Sequence, residues 1–262
     1  MTETEVKRLA PYLHLIWGAL TTLSRLMGGG GIVPAVGLAG SEEQMLRSTT
    51  PPPCSLCGAD ASVLLLAVED KDYWRCPNCE LTFLSAESWP SHDEERAVYE
   101  SHQNSETDSG YRGFLSKLTE RMLERLEPGC VGLDYGCGPA PALASMLREA
   151  GHEVALYDPF FAADSSVLRR TYDFIVCTET AEHFQRPGQE FERLNTLLRP
   201  GGQLGLMTCF QTDDAAFARW HYRRDRTHVV FYREHTMRVL AQRHGWTCDI
   251  PVKDVALFTK SN

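Results

Sequence analysis

Four cysteines fall in two tight pairs, Cys54-Ser-Leu-Cys57 and Cys76-Pro-Asn-Cys79, with eighteen residues between the pairs. Two residues between thiolates let both sulfurs of a knuckle reach one ion at about 2.3 Å, and two knuckles close a tetrahedral site with no open position. Gly58 after the first knuckle and Pro77 inside the second suit tight turns. Residues 63–68 and Tyr73-Trp74, between the pairs, supply strand formers. A redox-active dithiol is the functional alternative. The spacing favours a structural zinc ribbon over residues 51–86, one that supports folding or shapes a substrate rim and takes no part in chemistry.

A second constellation is Gly132-Leu-Asp134-Tyr-Gly136-Cys-Gly138-Pro-Ala140. An apolar strand there ends in an acid and then in glycines, just before a helix opened by Pro141. Glycine is needed where backbone passes close to a bound ligand with no Cβ in the way. Twenty-four residues after Asp134, another strand ends at Asp158, whose carboxylate can accept both hydroxyls of a ribose. The third glycine of a dinucleotide fingerprint is replaced here by Ala140 and Pro141, which disfavours a pyrophosphate at this helix start.

These residues need rigid elements behind them. Strands are expected at 131–135, 153–157, 172–178, 203–209 and near 255–259, with helices at 141–150, 188–198 and 234–244. Such alternation predicts an α/β fold with a doubly wound, mostly parallel sheet. Phe114, Leu118, Met122 and Leu126 recur four apart and give an amphipathic helix ahead of the first of these strands. Residues 87–110 are polar and acidic and read as a linker with one helical turn. Residues 1–50 read as an extension. Leu9, Leu13, Ile16, Leu20, Leu23 and Met27 mark one helix face there, too short and interrupted to span a bilayer, and Met45 is a plausible alternative start.

The chain has 262 residues, a net charge of −9 and nine cysteines. Its acidity argues against non-specific binding to nucleic acid or to an anionic membrane, which needs a cationic surface. Paired metal ligands with isolated thiols at Cys130, Cys137, Cys177, Cys209 and Cys248 fit a reducing, cytoplasmic compartment.

Over residues 110–262 the motifs resemble those of class I methyltransferases. Asp134-Tyr-Gly136-Cys-Gly138 resembles their first motif, and Asp158 their ribose-binding acid. The run from Tyr172 through Thr178, Glu179 and Glu182 to His183 is similar to their fourth strand and following loop. Leu198-Arg-Pro200-Gly201-Gly202 resembles their turn into strand five. The resemblance implies a Rossmann-like sheet of seven strands ending in an antiparallel hairpin. It also implies S-adenosylmethionine over the first and fourth strands, with Asp134, Gly136, Gly138, Asp158 and Thr178 as cofactor-side residues. Only about a dozen residues separate Asp158 from Tyr172, so the third strand and its adenine contacts are expected to be shortened or missing.

Glu-x-x-Glu-His is similar to the pattern of ubiquinone-biosynthesis O-methyltransferases and small-RNA 2′-O-methyltransferases. By that resemblance Glu179, Glu182, His183 and the later His228 hold a divalent metal beside the acceptor. The alternatives are a histidine base or simple loop-holding hydrogen bonds. Residues 208–232 read as a substrate lid, with Trp220, Tyr222, Arg223 and Arg224 suited to an anionic or planar small molecule. A solvated helix face is the bland alternative. Other functional classes are an RNA or protein methyltransferase that docks substrate through the ribbon, and a non-catalytic cofactor-binding activator subunit. No stable membrane association is expected.

Overall fold

The most apolar stretches of the chain become its innermost strands. In the computed structural model, which describes residues 50–101 and 105–262, Val131–Tyr135 (β4) and Tyr172–Thr178 (β6) are buried along most of their length. That is the pattern of strands covered on both faces. The expected N-terminal helix and the start at Met45 lie outside the described residues.

Among the described residues ten strands form two sheets. β1 (Val63–Val68), β2 (Lys71–Arg75), β3 (Thr82–Leu84) and β8 (Val230–Phe231) make an antiparallel sheet in that order. The larger sheet runs β5-β4-β6-β7-β10-β9, where β5 is Glu153–Tyr157, β7 Leu198–Met207, β9 Trp246–Val252 and β10 Val255–Lys260. Its first four strands are parallel, and β10 runs antiparallel to both β7 and β9. The sheet therefore has six strands and not the seven implied by the family pattern. A short 3₁₀ turn at Ser165–Arg169 fills the place of the missing strand, because the chain between β5 and β6 is too short for a strand and its crossover.

The helices are α1 (His92–Glu100), α2 (Ser109–Leu123), α3 (Ala142–Glu149), α4 (Pro187–Leu197), α5 (Asp214–Phe217) and α6 (Glu234–His244). Leu118, Met122, Leu143 and Leu147 of α2 and α3 pack on one face of the large sheet against Phe174, Val176 and Leu257. Phe191, Leu194, Met237 and Leu240 of α4 and α6 cover the other face with Ile175, Leu204 and Leu206. Tyr73, Phe83, Leu84, Phe217 and Phe231 of the small sheet and its flank belong to that second core. The cysteine region thus shares its interior with the large sheet, and residues 51–262 pack as one unit.

Two local expectations change. The acidic stretch expected to hold one helical turn holds the nine-residue α1. Ser91 accepts from the Glu94 amide while the Glu94 carboxylate accepts from the Ser91 amide, a reciprocal cap that offsets the poor helix propensity of the segment. Residues 208–232 form α5, a turn at Tyr222–Arg224 and β8, and they bury Phe217, Tyr222, Val229 and Phe231 in the core. Among the described residues no helix is long and apolar enough to cross a membrane.

Candidate active site

The four cysteines converge. Cys54 and Cys79 sulfurs lie 3.5 Å apart and Cys57 and Cys76 sulfurs 3.6 Å apart, with all four within 4.8 Å of one another. These separations exceed a disulfide by far. They approach the roughly 3.8 Å expected between thiolates that share a tetrahedral zinc at about 2.3 Å. Each knuckle closes in the same way. The Cys54 carbonyl accepts from Gly58 N and the Cys76 carbonyl from Glu80 N, each at 2.9 Å. Both fifth residues are left-handed, Gly58 at φ 76° and Glu80 at φ 58°. The donor set fits a structural zinc ion.

The large sheet brings the second constellation to one edge. β4 lies between β5 on one side and β6 on the other, so the strand order reverses at β4, and ligands of such sheets settle beyond the C-terminal strand ends at that switch point. Asp134 lies near the end of β4, fully buried, with its pKa pushed up to about 7. Burial is the main cause; the Ala144 amide and Arg148 work against it. Gly136 stands at φ 83°, and a Cβ there would lie 2.2 Å from the Thr180 side chain, so only glycine fits. Asp158 directly follows β5. Its carboxylate accepts from Gly138 N at 3.0 Å, Phe160 N at 2.8 Å and Phe161 N at 3.1 Å, which fixes its orientation. The Thr178 hydroxyl is buried without a hydrogen-bond partner, the only such group among these cofactor-side residues.

Just beyond β6 the Glu-x-x-Glu-His segment meets His228. Glu182 is 1% exposed, and its two carboxylate oxygens accept from Tyr222 Oη at 2.6 Å and Thr208 Oγ1 at 2.9 Å. His183 Nδ1 donates to the Thr227 carbonyl at 3.0 Å and His228 Nδ1 to the Tyr222 carbonyl at 2.7 Å. A carbonyl only accepts, so each ring carries a proton on Nδ1. Both Nε2 atoms face the same Glu182 oxygen, at 3.9 and 4.0 Å. Burial, helped by His183, lowers the His228 pKa to about 4, so this ring is neutral at pH 7. Glu179 lies outside this three-residue group, with Tyr222 Oη 3.4 Å from its carboxylate. Burial first, and Glu182 second, hold its pKa well above the ordinary range.

The predicted lid residues divide. Tyr222 joins the cluster of Glu182, His183 and His228 through its hydroxyl on Glu182. Trp220 stacks obliquely on Tyr222 at 5.2 Å, and Arg224 is exposed. Arg223 is buried, donating to Tyr73 Oη at 3.2 Å and to the Ala218 carbonyl at 3.0 Å. Its guanidinium is engaged with the small sheet. The residues missed from sequence come from α1 and the loop after β5. Tyr99 sits edge-on to His183 at 5.3 Å and to Phe160 at 5.2 Å, and Glu95 is buried beside His183 with its pKa raised by burial. Glu95 and Tyr99 are four apart on one helical face, a signal the capping box at Ser91 would have licensed.

A family model described as a methyltransferase domain matches residues 108–249, more than half of the chain. The chain belongs to that family. The methyltransferase is similar to the solved 1,6-didemethyltoxoflavin-N1-methyltransferase of Burkholderia thailandensis, bound to 1,6-didemethyltoxoflavin and S-adenosylhomocysteine. Identity is 17%, covering 72% of this chain and 99% of that one, with a TM-score of 0.44. It is also similar to magnesium protoporphyrin IX methyltransferase of Synechocystis PCC 6803 with bound SAH, at 12% identity, over 65% of this chain and 95% of that one, TM-score 0.44. No protein of curated description matches. The methyltransferase is an enzyme that methylates a substrate, built on an α/β fold with a mostly parallel central sheet.

Proposed function

We propose that this enzyme moves a methyl group from S-adenosylmethionine to a small, anionic or planar acceptor seated beside Glu182, His183 and His228. In this reading the cofactor lies beyond the C-terminal ends of β4 and β6, with Asp158 accepting ribose hydroxyls and Gly136 and Gly138 letting the backbone approach. Three amides already occupy three of about four lone-pair directions on the Asp158 carboxylate. A bidentate ribose contact therefore requires one amide to give way, in this reading that of Gly138, at 3.0 Å.

The observation that carries the acceptor side is the convergence of two histidine Nε2 atoms on one buried Glu182 oxygen, at 3.9 and 4.0 Å. The rings of Tyr99, Phe160 and Tyr222 around them suit a planar acceptor, and burial of the cluster suits a small one. Methyl transfer is an in-line displacement, so the protein's part is to hold the acceptor atom in line with the sulfonium carbon. A neutral histidine can also take the acceptor proton.

A second reading has Glu182, His183 and His228 hold a divalent cation, which would polarise an acceptor oxygen. Both Nδ1 protons are tied to carbonyls, as metal-ligating histidines require. The 3.9 and 4.0 Å separations are wide for ligands at about 2.1 Å from one ion, so the three side chains would draw in by roughly 0.5 Å. In this reading the four thiolates hold a structural zinc and the ribbon shapes a substrate rim.

Calorimetric titration of S-adenosylmethionine and NAD⁺ into wild type and Asp158→Asn tests the cofactor. Binding of S-adenosylmethionine alone, weakened roughly tenfold or more in the variant, is expected from loss of a charged hydrogen-bond acceptor. No binding, or preference for NAD⁺, would overturn the reading. Methyl-transfer screening over anionic and aromatic metabolites, and over RNA and protein, then separates the small-molecule acceptor from the docking alternative.

A further inference from the structure

The small sheet takes its last strand from the acceptor side of the enzyme. β8 is two residues long, and its neighbour in the sheet is β3, with Thr82 opposite Phe231 and Phe83 opposite Val230. A two-residue strand cannot hold its own extended form and depends on its partner. The next residue back, Val229, is shared: its carbonyl accepts from Leu84 N at 2.9 Å, and its amide donates to the Glu182 carbonyl at 2.9 Å. His228 precedes Val229. Val229 therefore joins the cysteine sheet to Glu182 by a hydrogen bond and to His228 by the chain itself. β3 in turn begins three residues after Cys79, and the Leu81 carbonyl accepts from the Cys76 amide at 2.9 Å.

Three further ties run the same way. The Thr82 hydroxyl donates to Gln211 Oε1 at 2.7 Å, and the Gln211 amide donates to the Tyr232 carbonyl at 2.8 Å. Asp214 receives Arg75 at 2.6 Å and Arg233 at 2.5 Å, while Arg233 also reaches Glu80 of the second knuckle at 3.4 Å. Arg223, next to Tyr222, lies over the Tyr73 ring at 5.4 Å. The cofactor-side residues Asp134, Gly136, Gly138 and Asp158 stand on or beside β4 and β5, in the other sheet.

We propose that the four-cysteine ribbon is a positioning element for the acceptor side: metal held by Cys54, Cys57, Cys76 and Cys79 fixes β3, and β3 fixes Val229, hence His228 and the Glu182 backbone. Release of the metal loosens the acceptor cluster and spares the cofactor side. The ribbon is a wall of the active site and not a detachable docking module. This rests on the reading of Glu182, His183 and His228 as the acceptor side, but its test does not need an acceptor.

The experiment is amide hydrogen exchange read by mass spectrometry on the full chain, zinc-loaded and after chelation, with S-adenosylmethionine titrated into each form. Exchange over residues 227–233 should speed up roughly tenfold or more on zinc loss, because local opening is governed by the contacts removed. Exchange over residues 131–138 and 153–162 and the cofactor affinity should hold within about threefold. Unchanged protection over 227–233 overturns the proposal. So does uniform loss of protection everywhere, which would make zinc a global fold support. Thr82→Val supplies an independent arm that leaves the thiolates intact. It should bind zinc as wild type yet exchange faster over 227–233, with the ring resonances of His228 losing the sharp Nδ1-protonated signature in nitrogen NMR. A Thr82→Val protein indistinguishable from wild type by both readouts overturns the proposal as well. If S-adenosylmethionine fails to bind the zinc-loaded wild type, the proposed function falls while the exchange result still decides this one.

Discussion

Asp134 should make the enzyme less stable as pH rises through the neutral range, and Asp134→Asn should remove that dependence. The carboxyl is 3% exposed and its pKa is raised from 3.8 to about 7, chiefly by burial. In the unfolded chain the same group ionises near pH 4. Between those values the unfolded state sheds its proton and the folded state keeps it, so unfolding is favoured as pH rises, and the penalty levels off above pH 7. A tenfold difference in proton affinity between the two states corresponds to about 1.36 kcal/mol, so the full span is about 4 kcal/mol. Evaluated at two working conditions, wild type should lose about 2.5 kcal/mol relative to Asp134→Asn between pH 5 and pH 8.

The asparagine carries a fixed cost, because its amide brings two donors into a dry site, but that cost is the same at both pH values and cancels in the difference. Urea unfolding of the two proteins at pH 5 and pH 8 is the assay. A stability difference that does not change with pH would refute the reasoning, and one that moves in the opposite direction would show Asp134 ionised in the folded state. The variant should bind S-adenosylmethionine more weakly even where it is the more stable protein.

Gly132→Ala should destabilise by roughly 3 kcal/mol, because the new Cβ would lie 2.1 Å from the Phe174 ring inside the core. Phe174→Leu should recover part of that loss in a double-mutant cycle, and strict additivity would show the clash is absorbed elsewhere. Tyr222→Phe removes the hydroxyl that binds Glu182 at 2.6 Å and should cost roughly 1–3 kcal/mol in chemical denaturation; an unchanged midpoint would mean water replaces it. Glu179 stands at φ 47° directly after β6, so Glu179→Gly should gain about 1 kcal/mol in thermal unfolding while methyl transfer falls. A variant that is both less stable and fully active would place Glu179 outside the site.

The parts of this fold that were legible in the sequence are those whose signal is carried by neighbouring residues. β6 spans Tyr172–Thr178 and α6 spans Glu234–His244, as expected, because a buried apolar run and an αL glycine cap at Gly245 mark their limits locally. The Cys-x-x-Cys spacing carried the convergence of four thiols for the same reason. β8 was not legible, since Val-Phe becomes a strand only against Thr82 and Phe83, far back in the chain. Arg223 was read as a substrate contact because a guanidinium beside aromatic rings suits an anionic or planar molecule. Its burial depends on Tyr73, 150 residues away, and no spacing rule records that. α1 hid behind its acidic composition, although Ser91 and Glu94 carried the capping signal.

What joins the two sheets is Glu182 itself. Its position follows β6 and so belongs to the cofactor sheet. Its carbonyl is bound by Val229, which the cysteine sheet holds, and its carboxylate by Tyr222 and Thr208 from the segment between the sheets. A buried carboxyl group held by two hydroxyls, with two histidines nearby, is costly to assemble, because each partner lost would leave a buried polar group unsatisfied. A loop free to move could not keep such a group satisfied. On the proposed positioning role the small sheet supplies that rigidity, from a segment whose Tyr73, Leu81, Phe83 and Leu84 pack into the core shared with the large sheet.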